Sequence, residues 1–142
     1  MAVESFELSL RGYYKDGHAV TRDVFAEPLN ARRSEGIVDV VCDRGSWQSG
    51  LIVLSQRRVS DYEQESEPHE AFAAEIRVDL ERIARWLVER EEGVSRIKEA
   101  GLTVDVFMDV WIDQDQLELS LPPSLLLACG RLGLEVQIVT ND

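Results

Sequence analysis

The residues of this chain best suited to chemistry lie at alternate positions between 105 and 113, where three aspartates interleave with two aromatic residues. They are Asp105, Phe107, Asp109, Trp111 and Asp113. Because side chains two apart on a strand share a face, a strand here would present carboxylates and aromatic rings on one surface. Aromatic anchors ringed by negative charge suit a basic protein partner. We therefore take these five residues as the candidate partner-binding site.

Two other interpretations of this pattern stay open. In the first, other parts of the chain cover Phe107 and Trp111, and the aspartates are simply solvated. In the second, the carboxylates hold a metal ion or do acid–base chemistry, which requires them to converge. Aspartates four apart on one strand stand about 13 Å from each other, so a single strand cannot clamp an ion. We therefore expect no metal and no cofactor.

The sequence contains none of the common catalytic or nucleotide-binding motifs. GxGxxG, GxxxxGK[ST], HExxH, GxSxG and the EF-hand loop are all missing from it. The two histidines are His18, in a predicted turn, and His69, beside Pro68 at a predicted helix start. Neither has a nucleophile in its local motif, so both are expected to be solvated. These observations favour a non-enzymatic protein; the alternative is a small enzyme or ligand-binding protein with a site built from loops.

The charge of the chain narrows the choice of partner. Its 142 residues include 15 Lys and Arg against 27 Asp and Glu, a net charge of −12, which repels nucleic-acid phosphates and anionic membranes. Residues 1–60 hold eight acidic and eight basic residues, whereas residues 101–142 hold seven acidic and one basic. Such charge keeps many small proteins soluble. It also steers a protein toward a basic partner, as in DNA mimics and in immunity proteins that plug nucleic-acid-cutting toxins.

Several features of the chain favour a cytoplasmic protein. The N-terminus has an early acidic residue, Glu4, and no basic segment followed by an apolar run, so it does not resemble a secretory signal. The most apolar stretch, residues 117–139, is broken by prolines, glycines and Arg131 and is too short to span a membrane. Cys42 and Cys129 lie in apolar runs, where reduced cysteines behave as small core residues.

The first half of the chain has the periodicity of short strands and one short helix. Phe6, Leu8 and Leu10 alternate with polar residues and predict a first strand with one buried face. A short helix is predicted after Thr21. Residues 37–42 and 51–54 are apolar runs separated by a turn-forming stretch, Asp43 to Ser46, which predicts an antiparallel hairpin.

The second half begins with a long amphipathic helix. Its apolar face comprises Phe72, Ile76, Leu80, Ile83 and Leu87. An unbroken helix from 69 to 100 would be about 48 Å long, so a break is predicted at Gly93. A strand over 104–112 follows, with even positions in the core, and the chain then turns back into a strand over 117–121. Next come a helix over 124–132, stopped by Gly133, and a last strand through Leu134, Val136 and Ile138.

The order of elements predicts a single α+β domain over residues 1–142. We expect a mainly antiparallel sheet with a long broken helix and shorter helices over one face. The C-terminal half, residues 70–139, resembles the domain of unknown function 4279 family of small bacterial proteins. The matching features are IKEAG at 97–101, the strand after it, LSLPPSLL at 119–126 and LGL at 132–134, with the doubled proline as a departure. The resemblance implies the fold and brings no established activity.

The N-terminal half departs from that family, whose members carry a tryptophan and a glycine-rich basic stretch there. Trp47, Gly45 and Gly50 are the only similar residues in this chain. The leading hypothesis is a bacterial, immunity-like interaction protein that occludes a basic partner. Phe107 and Trp111 would supply buried anchor area, and the three aspartates would pair with Lys or Arg. A homo-oligomeric structural subunit is a third possibility.

Overall fold

A computed structural model describes residues 4–31, 36–44, 48–112 and 119–141 of the protein. Within these ranges the chain forms five strands and four α-helices. The strands are β1 (Ser5–Tyr13), β2 (Asp39–Arg44), β3 (Ser49–Arg58), β4 (Thr103–Trp111) and β5 (Glu135–Asn141). The helices are α1 (Arg22–Phe25), α2 (Pro68–Val88), α3 (Glu91–Glu99) and α4 (Pro123–Leu132), and 3-10 turns cover Glu27–Leu29 and Val59–Tyr62.

The five strands form one mixed sheet in the order β2-β3-β1-β4-β5. The pairs β2–β3, β3–β1 and β1–β4 are antiparallel, and β4–β5 is parallel. Parallel neighbours need a crossover connection, and α4 provides it between β4 and β5. The predicted α+β domain with a mainly antiparallel sheet is therefore confirmed.

The hydrophobic core lies between one face of the sheet and the helices. The predicted inward residues of β1 and β4 are buried there, together with the apolar stripe of α2 and with Phe25 from α1. Leu8, Leu10, Val106 and Met108 are all fully buried. Alternation in the strands and the helical repeat of α2 thus place the core where the sequence predicts it.

The break in the long helix was predicted at Gly93. It falls instead at Glu89 and Arg90, between α2 and α3. Gly93 lies inside α3, and a Cβ atom added there would stand 2.4 Å from the carbonyl oxygen of Pro28. Glycine at this position therefore allows the helix to approach the Glu27–Leu29 turn closely. Arg90 secures the same contact, because its Nε donates to the carbonyl oxygen of Leu29 at 2.7 Å.

The predicted strand over 117–121 is also corrected in part. Residues 113–118 lie outside the described residues, and 119–121 are not part of a strand. The chain instead enters α4 at Pro123. As predicted, this helix ends at Gly133, which has the left-handed conformation with φ of +66°. The physical reason is that β5 pairs parallel to β4, so the chain must cross back over the sheet before it can pair.

None of the helices in the described ranges is both long enough and apolar enough to cross a membrane. Cys129 is buried in α4 with a free thiol, and burial raises its pKa to about 11. Cys42 is half-buried in β2. Cys129 therefore behaves as the small core residue that the sequence predicts.

Candidate partner-binding site

The sheet surface that faces away from the helices, here called the open face, carries the candidate site. On β4 the even residues 104, 106, 108 and 110 are buried in the core. The odd residues therefore point to the open face, because successive side chains of a strand alternate. Asp105, Phe107, Asp109 and Trp111 share this face as predicted, while Asp113 lies outside the described residues.

Asp105 is not a solvated carboxylate of this face. It lies directly opposite Arg11 of β1 and is 2% exposed. The Arg11 Nε donates to Oδ1 at 3.0 Å and Nη2 donates to Oδ2 at 2.6 Å, a bidentate ion pair. Both oxygens of Asp105 are thus engaged within the chain, so the expectation that it pairs with a partner's base is corrected.

Phe107 is half-buried and joins the same cluster. The guanidinium carbon of Arg11 lies 4.5 Å from the centre of the Phe107 ring and 5.3 Å from that of Tyr13. A cation over the face of an aromatic ring is attracted by the ring's quadrupole. Arg11, Asp105, Phe107 and Tyr13 therefore form a cluster, the Arg11 cluster, that ties β1 to β4 and covers the ring predicted as an anchor.

Asp109 has a different environment, because the residue opposite it on β1 is another acid, Glu7. Opposite residues in antiparallel strands have Cβ atoms about 5 Å apart, and like charges in this position destabilise the pairing. Asn141 Nδ2 donates to Asp109 Oδ1 at 2.7 Å, and Gln56 Nε2 donates to Glu7 Oε2 at 3.0 Å. Both donors are neutral, and neither carboxylate has an ion-pair partner among the residues that the structure describes.

Two exposed apolar side chains border this acidic pair. Trp111 follows Asp109 on the open face and is 47% exposed, and Val139 of β5 lies beside Asp109 and is 40% exposed. A tryptophan is usually buried to a greater extent than this in a folded protein. We call the four residues Glu7, Asp109, Trp111 and Val139 the Trp111 patch.

The sequence pattern alone identifies half of this patch. Asp109 and Trp111 were among the predicted residues, whereas Glu7 and Val139 were not. The alternation of β1 assigns Glu7 to one face of that strand, and the alternation of β5 assigns Val139 to one face of its strand. What neither pattern shows is the register that sets both beside Asp109.

The ionisable groups elsewhere do not assemble a metal centre. Within the described residues, no group of three or more His, Cys, Asp and Glu side chains is placed to hold a metal ion. His18 lies on the surface with its Nδ1 at 2.6 Å from Asp16, and the Nε2 of His69 lies 3.1 Å from the buried Glu4 carboxylate. His69 therefore contacts the residue that precedes β1, in addition to lying at the start of α2.

Asp79 of α2, a carboxyl group with a lowered pKa, lies on the helix side of the sheet. Burial opposes its charge, but hydrogen bonds from Arg57 and Ser55 outweigh burial and lower the pKa of Asp79 below its ordinary value. Arg57 Nε and Nη2 donate to its two oxygens at 2.6 and 3.0 Å, and the Ser55 hydroxyl donates at 2.7 Å. Asp79 thus anchors α2 to β3, and its oxygens are satisfied within the fold.

No protein-family model matches the chain, and no curated protein or solved structure gives a significant match to it. The resemblance of residues 70–139 to the domain of unknown function 4279 family therefore stays a prediction. No relative's activity can be transferred to this chain, so its function is inferred from the open face itself.

Proposed function

We propose that the protein is a non-enzymatic, immunity-like binding module whose Trp111 patch docks on a basic protein and occludes it. The observation that carries this proposal is the pairing of Glu7 with Asp109 beside a half-exposed tryptophan. Two carboxylates held opposite each other raise the free energy of the folded chain. A Lys or Arg side chain of a partner would lower it again, because one cation can pair with both.

The wider charge of the open face supports a basic partner. By the strand registers, its described residues include five acids and three arginines, Arg11, Arg44 and Arg58. The acids are Glu7, Asp39, Asp105, Asp109 and Glu135. Asp105 and Arg11 neutralise each other, so the rest of this face is net negative, in keeping with the net charge of −12. Such a surface speeds encounter with a basic protein and repels acidic ones.

Within the patch the residues have separate tasks. Trp111 would bury its ring in the partner and supply most of the binding energy, since exposed tryptophans are the most frequent interface anchors. Glu7 and Asp109 would fix the position of a cationic side chain, and Val139 would extend the apolar contact. Binding by surface complementarity requires no reaction, so the partner is inhibited simply by being covered.

The Arg11 cluster supports the patch without contacting the partner. Its ion pair lies four residues from Asp109 on the same face of β4 and joins the two strands that carry Glu7 and Trp111. Residues whose side chains are locked by their neighbours hold a binding surface in one geometry, which lowers the entropy cost of association. Asp105 and Phe107 are therefore positioning residues in this proposal.

The first test is affinity capture with three versions of the tagged protein from lysates of the source organism. Wild type should retain a basic protein at low salt and release it at moderate salt, because screening weakens attraction between exposed charges. Trp111→Ala should reduce the affinity for that protein by more than about fivefold, the loss that an interface anchor contributes. Leu127→Ala is the matched control, since Leu127 is 75% exposed on α4, on the helix side.

Retention that Trp111→Ala leaves unchanged, or that depends equally on Leu127, contradicts the proposed site. Because Trp111 is half-exposed, its replacement should leave the fold intact, which circular dichroism checks. If Trp111→Ala unfolds the protein, Glu7→Gln with Asp109→Asn tests the same patch. That double variant should weaken capture and its salt dependence while removing a repulsion from the sheet.

A further inference from the structure

The outer edge of β5 is a second surface, which shares only Val139 with the Trp111 patch. β5 pairs with β4 on one side, and no strand in the described ranges pairs with the other side. We propose that this edge pairs in antiparallel fashion with the same edge of a second copy of the chain. The dimer would contain one continuous sheet of twice the five strands.

The β5 edge lacks the features that normally prevent such pairing. Exposed edges are protected by lysines, prolines, bulges or short length. β5 has seven residues, EVQIVTN, without Lys or Pro, and it pairs with β4 in an unbroken register. The opposite edge, β2, has a register shift after Val41 and contains Asp39, Asp43 and Arg44. Within the described residues, one edge of the sheet is thus protected and the other is open.

The charges along β5 fit a second copy of the same strand. A two-fold axis at Ile138, the middle of β5, sets Ile138 opposite Ile138, and Glu135 opposite Asn141 of the other copy. The one charged residue of the strand, Glu135, therefore faces a neutral amide at each end of the seam instead of another Glu135. No like charges oppose each other, in contrast to the Glu7–Asp109 pair within the chain.

Exposed apolar side chains lie on both faces of the sheet beside this edge. Ile138 pairs with the buried Met108 and so points to the helix side, where it is 50% exposed, while Val139 is 40% exposed on the open face. Leu126 of α4 is 50% exposed. Leu127 and Ala128 line the groove toward α2, and Leu126, about 100° around the helix from Leu127, points away from α2.

Ile138 and Leu126 would be covered in the proposed dimer, and Val139 would lie at the border between the seam and the Trp111 patch. Opposite residues of antiparallel strands point to the same face, so both copies would place their helices on one side of the joined sheet. The two α4 helices would then flank the seam with Leu126, above Ile138. Both Trp111 patches would lie on the other side, and Trp111 on β4 stays outside the seam. The inference does not depend on the proposed function.

The test is the mass of the purified protein in solution by sedimentation velocity and light scattering. Wild type at micromolar concentrations should have twice the chain mass of 16.1 kDa. Ile138→Lys would place two ammonium groups opposite each other at the two-fold axis, which should weaken dimerisation by at least about tenfold. Val78→Lys is the matched control, because Val78 is an aliphatic residue of α2 that is 60% exposed, and this variant should stay dimeric.

A covalent probe of the same contact uses Ile138→Cys in a Cys42→Ser background. Opposite Cα atoms of antiparallel strands lie about 4.5–5.5 Å apart, a separation that a disulfide spans. Mild oxidation should therefore crosslink two copies through residue 138, whereas Val78→Cys should not crosslink efficiently. A monomeric wild-type protein, a dimer that Ile138→Lys leaves intact, or a failure of Ile138→Cys to crosslink overturns the proposal.

Discussion

At the scale of single residues, the open face separates two kinds of acid that the sequence presents alike. Asp105 and Asp109 are four residues apart on β4 and have the same side-chain chemistry. Asp105 lies opposite Arg11 in the β1–β4 pairing and is buried, while Asp109 lies opposite Glu7 and is partly exposed. The residue opposite therefore decides whether an aspartate stabilises the sheet or is available to a partner.

The Arg11 cluster gives a prediction at this scale. Arg11→Ala removes both hydrogen bonds to Asp105 and leaves a buried carboxylate without its cation. Loss of one partner from a buried ion pair costs about 3 kcal/mol in the free energy of unfolding. Urea unfolding should show this loss. Arg58→Ala, an exposed residue on the same face, should change the free energy by less than about 0.5 kcal/mol, and equal losses would contradict the special role of Arg11.

At the scale of elements, close approach between a helix and a turn sets the position of α3. The helices that the structure describes contain two glycines, Gly93 in α3 and Gly130 in α4, with opposite surroundings. A Cβ at Gly93 would meet the Pro28 carbonyl oxygen at 2.4 Å, whereas one at Gly130 would have no atom within 4 Å. Helix propensity therefore predicts the effect of alanine at Gly130, and packing predicts its effect at Gly93.

The two alanine substitutions form a matched pair. Gly130→Ala should raise the free energy of unfolding by about 0.5–1 kcal/mol, because alanine reduces the entropy of the unfolded chain and finds free space. Gly93→Ala should lower it by about 2 kcal/mol, because the helix must move away from Pro28. Thermal and chemical unfolding measure both values, and a stabilising Gly93→Ala would show that the contact between α3 and the turn can relax freely.

At the scale of the whole molecule, the fold is one sheet with helices on a single side. The layers are joined by polar anchors as well as by apolar packing, most directly by Asp79 of α2 with Arg57 of β3. The other side of the sheet is the open face, which no helix of the described ranges covers and which the Arg11 cluster stabilises. Within the described residues, this asymmetry leaves the Trp111 patch and the β5 edge exposed, and these are the two surfaces for which we propose partners.

The Asp79 anchor predicts how stability depends on pH. Its pKa in the folded protein lies below the ordinary value of 3.8. A lowered pKa stabilises the folded state at pH values above the unfolded pKa, and this contribution disappears as the pH falls from about 4 through the folded pKa. Asp79→Asn should therefore be less stable than wild type at pH 7 by about 2 kcal/mol, and the difference should shrink below pH 4.

Unfolding by urea at pH values from 7 down to 3 measures this convergence. Asp61→Asn is the control, because Asp61 is exposed in the Val59–Tyr62 turn and its replacement should keep the wild-type pH dependence. A difference between Asp79→Asn and wild type that stays constant down to pH 3 would mean that the Asp79 charge contributes nothing to the anchor.

Local patterns in the sequence predicted most of the elements of this fold. The alternation in β1 and β4, the apolar stripe of α2 and the glycine end of α4 are all confirmed. These features depend on residues that lie close together in the sequence, so a short window of sequence contains the relevant information. The predicted break at Gly93 was wrong because glycine at this position allows close contact with Pro28, which is distant in the sequence.

By itself, the sequence determined which residues share a face, the acidity of the chain and its α+β class. Only the tertiary structure decided which charged residues lie opposite each other, namely Asp105 with Arg11 and Asp109 with Glu7. It also decided that β5 is an edge strand parallel to β4. The reason is physical. A strand's alternation is local, whereas its register and its place in the sheet depend on packing against segments far away along the chain.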